Sequence, residues 1–503
     1  MSATSSPRPL TQTRAYTFVW VCLAGIAGLS IAFLPFEITA GVIASFVFLL
    51  TVAITPLATI TFLLTLAPLR TLIATESAIN LPLDVGQLLF FVTLFAWLAH
   101  RIVQTKSLKL ELSPILIPII GFIIASGLSA FQAYSLGFWL NEWLKWVEIA
   151  ILITLCADIG REGNWKWLVF ALITAGLGNA FIGIYEFFGG SGADHLIVNE
   201  RFFRAFGTFG QPNPFGGFMG LLAPLAGGVA LGYLVRLLNE LRHQKRFSIH
   251  SFIGLLYFGG ATGILSIGVI LSWSRGAWLG LAVAMAALVF ALPRRFYQSV
   301  LLVGLLVALT FGLWSAGLLP QSIVSRIESA TQETFSTSDV RGVDITPDNY
   351  ALIERLAHWD AAISMAEAHP LFGVGFGNYE VAYPEFRLLN WNFPLGHAHN
   401  YYLNVLGETG MIGAFVYLTL WIIILIFTYQ ARNHPDWVAR CTAAGLFGMW
   451  TYLLIHSLTD NLYVNNLFIH LGVALGILAV LHRDRHGVLH WVVNHDTSKA
   501  HEN

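Results

Sequence analysis

Long apolar runs recur along nearly the whole chain, separated by short polar connections, and this pattern predicts membrane-spanning helices. A helix needs roughly 20 mostly apolar residues to cross a bilayer core. Runs of that kind lie at 16–34, 37–55, 57–73, 84–103, 114–132, 137–157, 165–188, 212–235, 251–272, 277–292, 298–319, 408–430, 440–460 and 464–482. The stretch 37–73 and the short run 277–292 divide in more than one way, so 12 to 14 spans are expected. The first run follows Arg8 and Arg14, is long for a signal-peptide core and has no evident small-residue cleavage site, so it reads as a retained span. Two connections stand out by length, 189–211 and 320–407. Loops beyond about 15 residues usually carry function or lack order. The second has Leu352, Leu356, Trp359, Ile363 and Ala366 at helical spacing. That spacing predicts a helix over 351–368 with this apolar face packed against the bundle.

Composition agrees. The 503 residues are 56% hydrophobic and only 11% charged, against roughly 25% charged in soluble domains. Mean hydropathy is +0.69. So little charge cannot coat a water-facing surface, and much of the perimeter must face membrane lipid. A net charge of −1 gives no electrostatic footprint for nucleic acid. Cys22, Cys156 and Cys441 lie in or beside apolar runs without CxxC spacing, which suggests neither a disulfide framework nor a zinc site.

Loop charge orients the chain, because Lys and Arg accumulate on the cytoplasmic side. Arg8, Arg14, Arg101, Lys106, Lys109, Arg161, Lys166, Arg236, Arg242, Lys245, Arg246, Arg294, Arg295, Arg432, Arg440, Arg483, Arg485 and Lys499 fall on one side. That side reads as the cytoplasm, with both termini on it. The external cations are Arg70, Arg201, Arg204, Arg275, Arg326, Arg341, Arg355 and Arg387, without a single Lys. Arginine presents a planar fork to phosphate and keeps its proton.

Three external segments carry candidate chemistry. The first is Ser272-Trp273-Ser274-Arg275-Gly276-Ala277-Trp278, a hairpin between two apolar runs that sets a guanidinium at the membrane surface. Such a charge is either a snorkelling helix end or functional. The second runs from Arg201-Phe-Phe-Arg204 to Gln211-Pro-Asn213, where glycines and prolines impose an irregular turn suited to an anion or sugar. The third is Gly396-His397-Ala398-His399-Asn400-Tyr401, leading to Glu408-Thr409-Gly410. Histidine accepts a proton near neutral pH. On a helix two His at i and i+2 point apart, so one of the pair is expected to be structural. No HExxH, external DxD or carboxylate at ligand spacing accompanies them, and neither metal nor cofactor is expected.

In their order and spacing these segments resemble the O-antigen ligase/polymerase superfamily. The resemblance rests on the Arg204 loop, the Ser274-Arg275-Gly276-Ala277 hairpin, Pro370-Leu-Phe-Gly-Val-Gly-Phe-Gly-Asn378, and His399-Asn400 followed by Gly410-Met-Ile-Gly413. It covers about 200–430, and it divides the chain into N-terminal spans (1–199), a catalytic region (200–430, including the loop 320–407) and C-terminal spans with a tail (431–503). The fold implied is an all-α, GT-C-like transmembrane bundle in the inner (plasma) membrane with its site facing the exterior. The activity implied is metal-independent, inverting transfer of a glycan from a polyprenyl-diphosphate carrier to a hydroxyl on lipid, glycan or protein. By that resemblance His399 is the general base and Arg275 stabilises the leaving diphosphate. Arg204, Arg201, His397, Asn400 and Glu408 bind substrate, with Glu408 a candidate to hold an imidazole's tautomer.

A transporter is the competing class. Asn141, Glu142, Lys145 and Glu148 form one polar stripe in the run 137–157, and transporters place ionisable groups at depth. Topology is directly testable. A cysteine at Gln332 should be labelled by an impermeant maleimide only from outside, and labelling only from the cytoplasm defeats the whole orientation.

Overall fold

The computed structural model describes residues 55–486, apart from 77–83, 106–109, 111, 190–191, 193–195, 199–200, 246, 319–323, 325–339 and 347–348. The two spans expected before residue 55, the C-terminal tail and most of 320–339 lie outside the described residues.

The chain forms an all-α bundle. Its helices are α1 (Pro56–Leu66), α2 (Arg70–Glu76), α3 (Val85–His100), α4 (Leu116–Leu128), α5 (Leu136–Ile159), α6 (Trp165–Phe187), α7 (Pro212–Asn239), α8 (Ile249–Leu271), α9 (Arg275–Ala291), α10 (Phe296–Ser315), α11 (Tyr350–Ala368), α12 (Tyr379–Phe386), α13 (Tyr401–Ala431), α14 (Trp437–His456) and α15 (Leu467–His486). Among the described residues, nine helices are long and apolar enough to cross a membrane, and two shorter apolar helices join them. The one sheet among these residues is a ribbon of β1 (Ile197–Val198) and β2 (Phe202–Phe203), antiparallel with Ile197 opposite Phe203.

The core is built on α7, α14 and α15, most of whose length is buried, while α10 lies on the perimeter. Small residues let α7 and α14 come close. A Cβ on Gly228 would stand 2.4 Å from the Cys441 carbonyl oxygen, and one on Gly445 2.9 Å from that of Pro224. Lipid tails are as apolar as leucine, so close packing of this kind is what associates helices in a bilayer. In α5, Glu142 and Lys145 of the polar stripe pair with each other, and Glu148 is buried.

Two features shape the external subdomain. Gly410, with φ +65° and ψ −169°, breaks α13. Only glycine takes that conformation readily, and Met411 N donates to the Pro370 carbonyl at 2.8 Å across the break. Residues 401–409 thus belong to the subdomain, and the span follows. Helix α11 forms where the spacing placed it, but its buried face is different. Ile353, Ala357, His358, Ala361, Ala362 and Met365 are buried, whereas Leu352, Leu356 and Trp359 are only half-buried and Ile363 is exposed. The alanines permit close approach to α13, and His358 is buried by hydrogen bonding. Hydrophobicity alone picked the larger side chains and so rotated the helix by about one position.

A Gly228→Leu substitution should strain the α7–α14 contact. A loss of about 1–3 kcal/mol, typical of overpacking, should appear as a lower melting temperature in detergent, and an unchanged melt contradicts the close approach.

Candidate functional site

At one end of the bundle a cavity of about 130 Å³ opens between the α8–α9 turn, the turn after α14 and the roof formed by α11. Arg204, Asn213, Trp273, Ser274, Arg275, Gly276, Ala351, Arg355, His456, Thr459 and Asp460 line it. Arg275 is the first residue of α9, preceded by the extended Ser274 and by Trp273 at φ +54°. The guanidinium therefore sits at a helix N-terminus, where unpaired N–H groups and the dipole favour an anion.

Arg204 is held by its loop. Its Nε donates to the Ser272 carbonyl at 3.0 Å and its Nη2 to Asn213 Oδ1 at 3.3 Å. The backbone bond from Ala205 N to Leu271 O staples the loop to α8, and Arg204 N donates to Leu196 O within the loop. Glu186 Oε2 accepts from Phe206 N at 2.9 Å and Gly207 N at 2.7 Å. Burial, then the charges of Arg275 and Arg355, bring the Arg204 pKa down to about 10. It stays protonated at neutral pH, and three mutually repelling cations around one cavity make an electrostatic demand for an anion. Arg201 is not brought to the cavity. It is exposed at the ribbon turn, with its guanidinium 5.2 Å from the centre of the Phe202 ring.

The histidine pair meets the cavity through Asp460. His397 Nε2 lies 3.6 Å and His399 Nδ1 3.9 Å from the same Asp460 oxygen. The segment is not helical, which corrects the expectation that one histidine points away. Ala398 is buried among Ala361, Met365, Tyr379 and Tyr383, and both imidazoles turn the other way, their centroids 4.5 Å apart. His399 has φ +53°. Asn400 then caps α13, accepting from Tyr402 N at 3.1 Å and Leu403 N at 3.2 Å.

Asp460 is buried, which pushes its pKa up, but the neighbouring His399, His397 and His456 rings pull harder and hold it well below the usual carboxylate range. Burial lowers the His397 pKa to about 4, against the pull of Asp460. His397 Nδ1 accepts from the His399 backbone N–H at 3.1 Å, so the neutral ring carries its proton on Nε2, towards Asp460. This bears on metal binding. His397, His399 and Asp460 place three donor atoms within 4.8 Å of one another, so the expectation that no carboxylate joins the pair is overturned. The tautomer fits an ion poorly, however, because a ligating imidazole normally donates from its other nitrogen. Binding through Nε2 would sacrifice the bond that Nδ1 accepts.

Glu408 does not touch an imidazole. It is buried and accepts from Tyr379 N at 3.0 Å, bracing the glycine-rich turn; the carboxylate at the histidines is Asp460. Reading the sequence also missed His358 and His456. Burial, then the His399 and His397 rings, lower the His358 pKa to about 4, and its ring lies 5.8 Å from that of His399. Tyr452 donates to the Gly216 carbonyl at 2.9 Å, so His456 Nδ1 donates to the Tyr452 hydroxyl at 2.9 Å. His456 Nε2 is left at the cavity, buried and without a hydrogen-bond partner among the described residues.

These features define an integral membrane protein with an anion-demanding cavity and a histidine–aspartate cluster at one end. Residues 260–418 match the family described as O-Antigen ligase, whose members are glycosyltransferase-like enzymes, and this match supports the resemblance to that superfamily. The match contains Arg275, Arg355, His397, His399, Asn400 and Glu408; Arg204 and Asp460 lie outside it. An uncharacterized protein of Haemophilus influenzae is 29% identical over 200 residues, which are 37% of this chain and 47% of that protein. The matched stretch thus spans about half the length of that relative.

Asn400 acts on the site through the helix it caps. Asn400→Ala should cost about 1 kcal/mol of stability, while Asn400→Asp should preserve the cap. Equal melting of both variants and the parent chain rules out the capping role.

Proposed function

We propose that the chain transfers a glycan from a polyprenyl-diphosphate carrier to an acceptor hydroxyl at the external membrane face, as an O-antigen ligase does. The observation that carries this is one cavity holding Arg204, Arg275 and Arg355 on its wall together with Asp460, which touches both histidines. The arginines and the α9 N-terminus receive the diphosphate. His399 Nδ1 faces Asp460, so Nε2 is the atom that takes the acceptor proton. The acceptor oxygen attacks the anomeric carbon, the bond to the diphosphate breaks with its electron pair leaving on phosphate oxygen, and configuration inverts. No protein nucleophile takes part. The guanidinium forks stabilise the departing charge in a site shielded from bulk water. Asp460 orients His399 and offsets the imidazolium as it forms. His397, held neutral, fixes Asp460, and His456 Nε2 accepts from a sugar hydroxyl.

Charge bias supports an inner-membrane protein with both termini cytoplasmic and the cavity outside. Residues 200–430 with the turn holding Asp460 are the catalytic region in this reading. Ligase is preferred to polysaccharide polymerase or protein O-oligosaccharyltransferase, which take the same donor and differ in acceptor.

The test is transfer from purified lipid-linked glycan, with donor binding measured in parallel. His399→Ala should lose at least roughly 100-fold in turnover, the usual share of general-base catalysis, while still binding donor. Arg275→Lys should lose roughly as much, because an ammonium keeps the charge without the fork. His397→Ala should be milder and Asp460→Asn severe, whereas chelators should leave transfer intact. Full activity of His399→Ala refutes the base, and near-normal transfer by Arg275→Lys refutes the bidentate role. Uptake of a small solute by sealed vesicles without any transfer would favour a transporter instead.

A further inference from the structure

The opposite end of the bundle carries a second concentration of arginine, where the α9–α10 connection meets the ends of α13 and α14. Arg432 reaches from α13 to the carbonyls of Ala291, Pro293 and Arg294, and Arg440 from α14 to that of Leu292. These carbonyls end α9 and have no helical donors of their own. The two guanidiniums cap them and fix the connection Leu292-Pro293-Arg294-Arg295. Arg294 and Arg295 are then both exposed beside Arg432 and Arg440, and Arg294 and Arg432 lie close enough to repel Arg440. Among the described residues, no ion pair with a carboxylate involves Arg294, Arg295 or Arg440. Asp436 nearby is engaged as the α14 N-cap, accepting from Ala439 N at 2.9 Å.

An apolar groove leads away from this cluster. Helix α10 packs mainly on α9 and is almost wholly exposed along its length. Phe290 of α9 forms the floor, 5.8 Å from Phe296 of α10 and 6.2 Å from Tyr429 of α13, centroid to centroid. Ile422 and Ile426 share the α13 face with Tyr429, and Val300, Leu301 and Leu305 of α10 are exposed. The Arg432 guanidinium, buried behind Arg294 and Arg295, lies 3.6 Å from the Tyr429 ring centre. Cations over a mouth flanked by aromatic rings, with an apolar channel beneath, match the two halves of one molecule.

We propose that this end of the bundle binds an anionic phospholipid of the phosphatidylglycerol class, its phosphate on the exposed Arg294 and Arg295, with the buried Arg432 adding its charge from behind, and its acyl chains in the groove between α10 and α13. The charge selects an anionic over a zwitterionic headgroup, and the groove selects a lipid over a free phosphate ion. The site lies at the far end from the transfer cavity and does not depend on the function proposed for it.

The experiment uses the full chain in nanodiscs of phosphatidylcholine with or without 30% phosphatidylglycerol. The melting temperature should rise with phosphatidylglycerol, and native mass spectrometry should show lipid retained after the disc is stripped. In the doubly substituted chain Arg294→Ala, Arg295→Ala both effects should be lost, with glycan transfer unchanged. Those two side chains are exposed, so the variant folds; Arg432 and Arg440 are left in place because they cap α9. Equal melting in both lipids, or an undiminished rise in the double variant, overturns the proposal. So does inorganic phosphate in phosphatidylcholine discs reproducing the rise, because the site then binds a free anion.

Discussion

The site depends on how closely the start of α9 approaches the turn after α14. A Cβ at Gly276 would stand 2.2 Å from Thr459 Oγ1, a distance no packed side chain tolerates. Only the absence of a side chain there lets Asp460 share a cavity with Arg275. The approach is secured from behind, where Tyr452 of α14 donates to the Gly216 carbonyl of α7. A Cβ at Gly216 would in turn meet Ser272 Oγ at 2.6 Å. Small residues at successive contacts thus bring three helix ends together, and the charged groups that repel one another there are held in place by backbone they cannot displace.

This placement sets the electrostatics. Three guanidiniums line the cavity with one carboxylate, so the excess is positive, and an anionic ligand relieves it. Asp460 is not available to neutralise the arginines fully, because the imidazoles beside it already stabilise its charge. The cations and the imidazole pair are thus joined through Asp460, which lines the cavity and lies 3.6 and 3.9 Å from the two rings.

The spans among the described residues, the helix over 351–368 and the meeting of Arg204 with Arg275 were legible in the sequence, because hydrophobic period and loop position are local signals. Asp460 was not. The apolar run 440–460 continues to it, and nothing in the sequence says that α14 ends at His456 and turns back. His358 was hidden because a helical histidine looks like any surface residue until Tyr379 is seen at 2.8 Å. Arg355 was noted only as one external arginine among eight. Arg201, three residues from Arg204, stands behind it as a further candidate in the sequence; the ribbon turn directs one outward and the other to Ser272. Glu408 and Asn400 were drawn to the histidines by sequence proximity, yet both serve the backbone.

The misjudged face of α11 explains how the external subdomain contributes. Had Leu352, Leu356 and Trp359 formed the contact, their bulk would have held the helix farther from α13. Instead Ala357, Ala361 and Ala362 are buried, and Gly407 approaches so closely that a Cβ there would lie 2.9 Å from the Ala362 carbonyl. The helix can then bring two polar groups inward one turn apart. Arg355 reaches the cavity wall, and His358 reaches the imidazole cluster with its Nδ1 satisfied by Tyr379. Polar residues on the buried side of a helix are costly unless they are hydrogen-bonded or face a ligand, which is why hydrophobic period misread this helix and why its buried side carries part of the site.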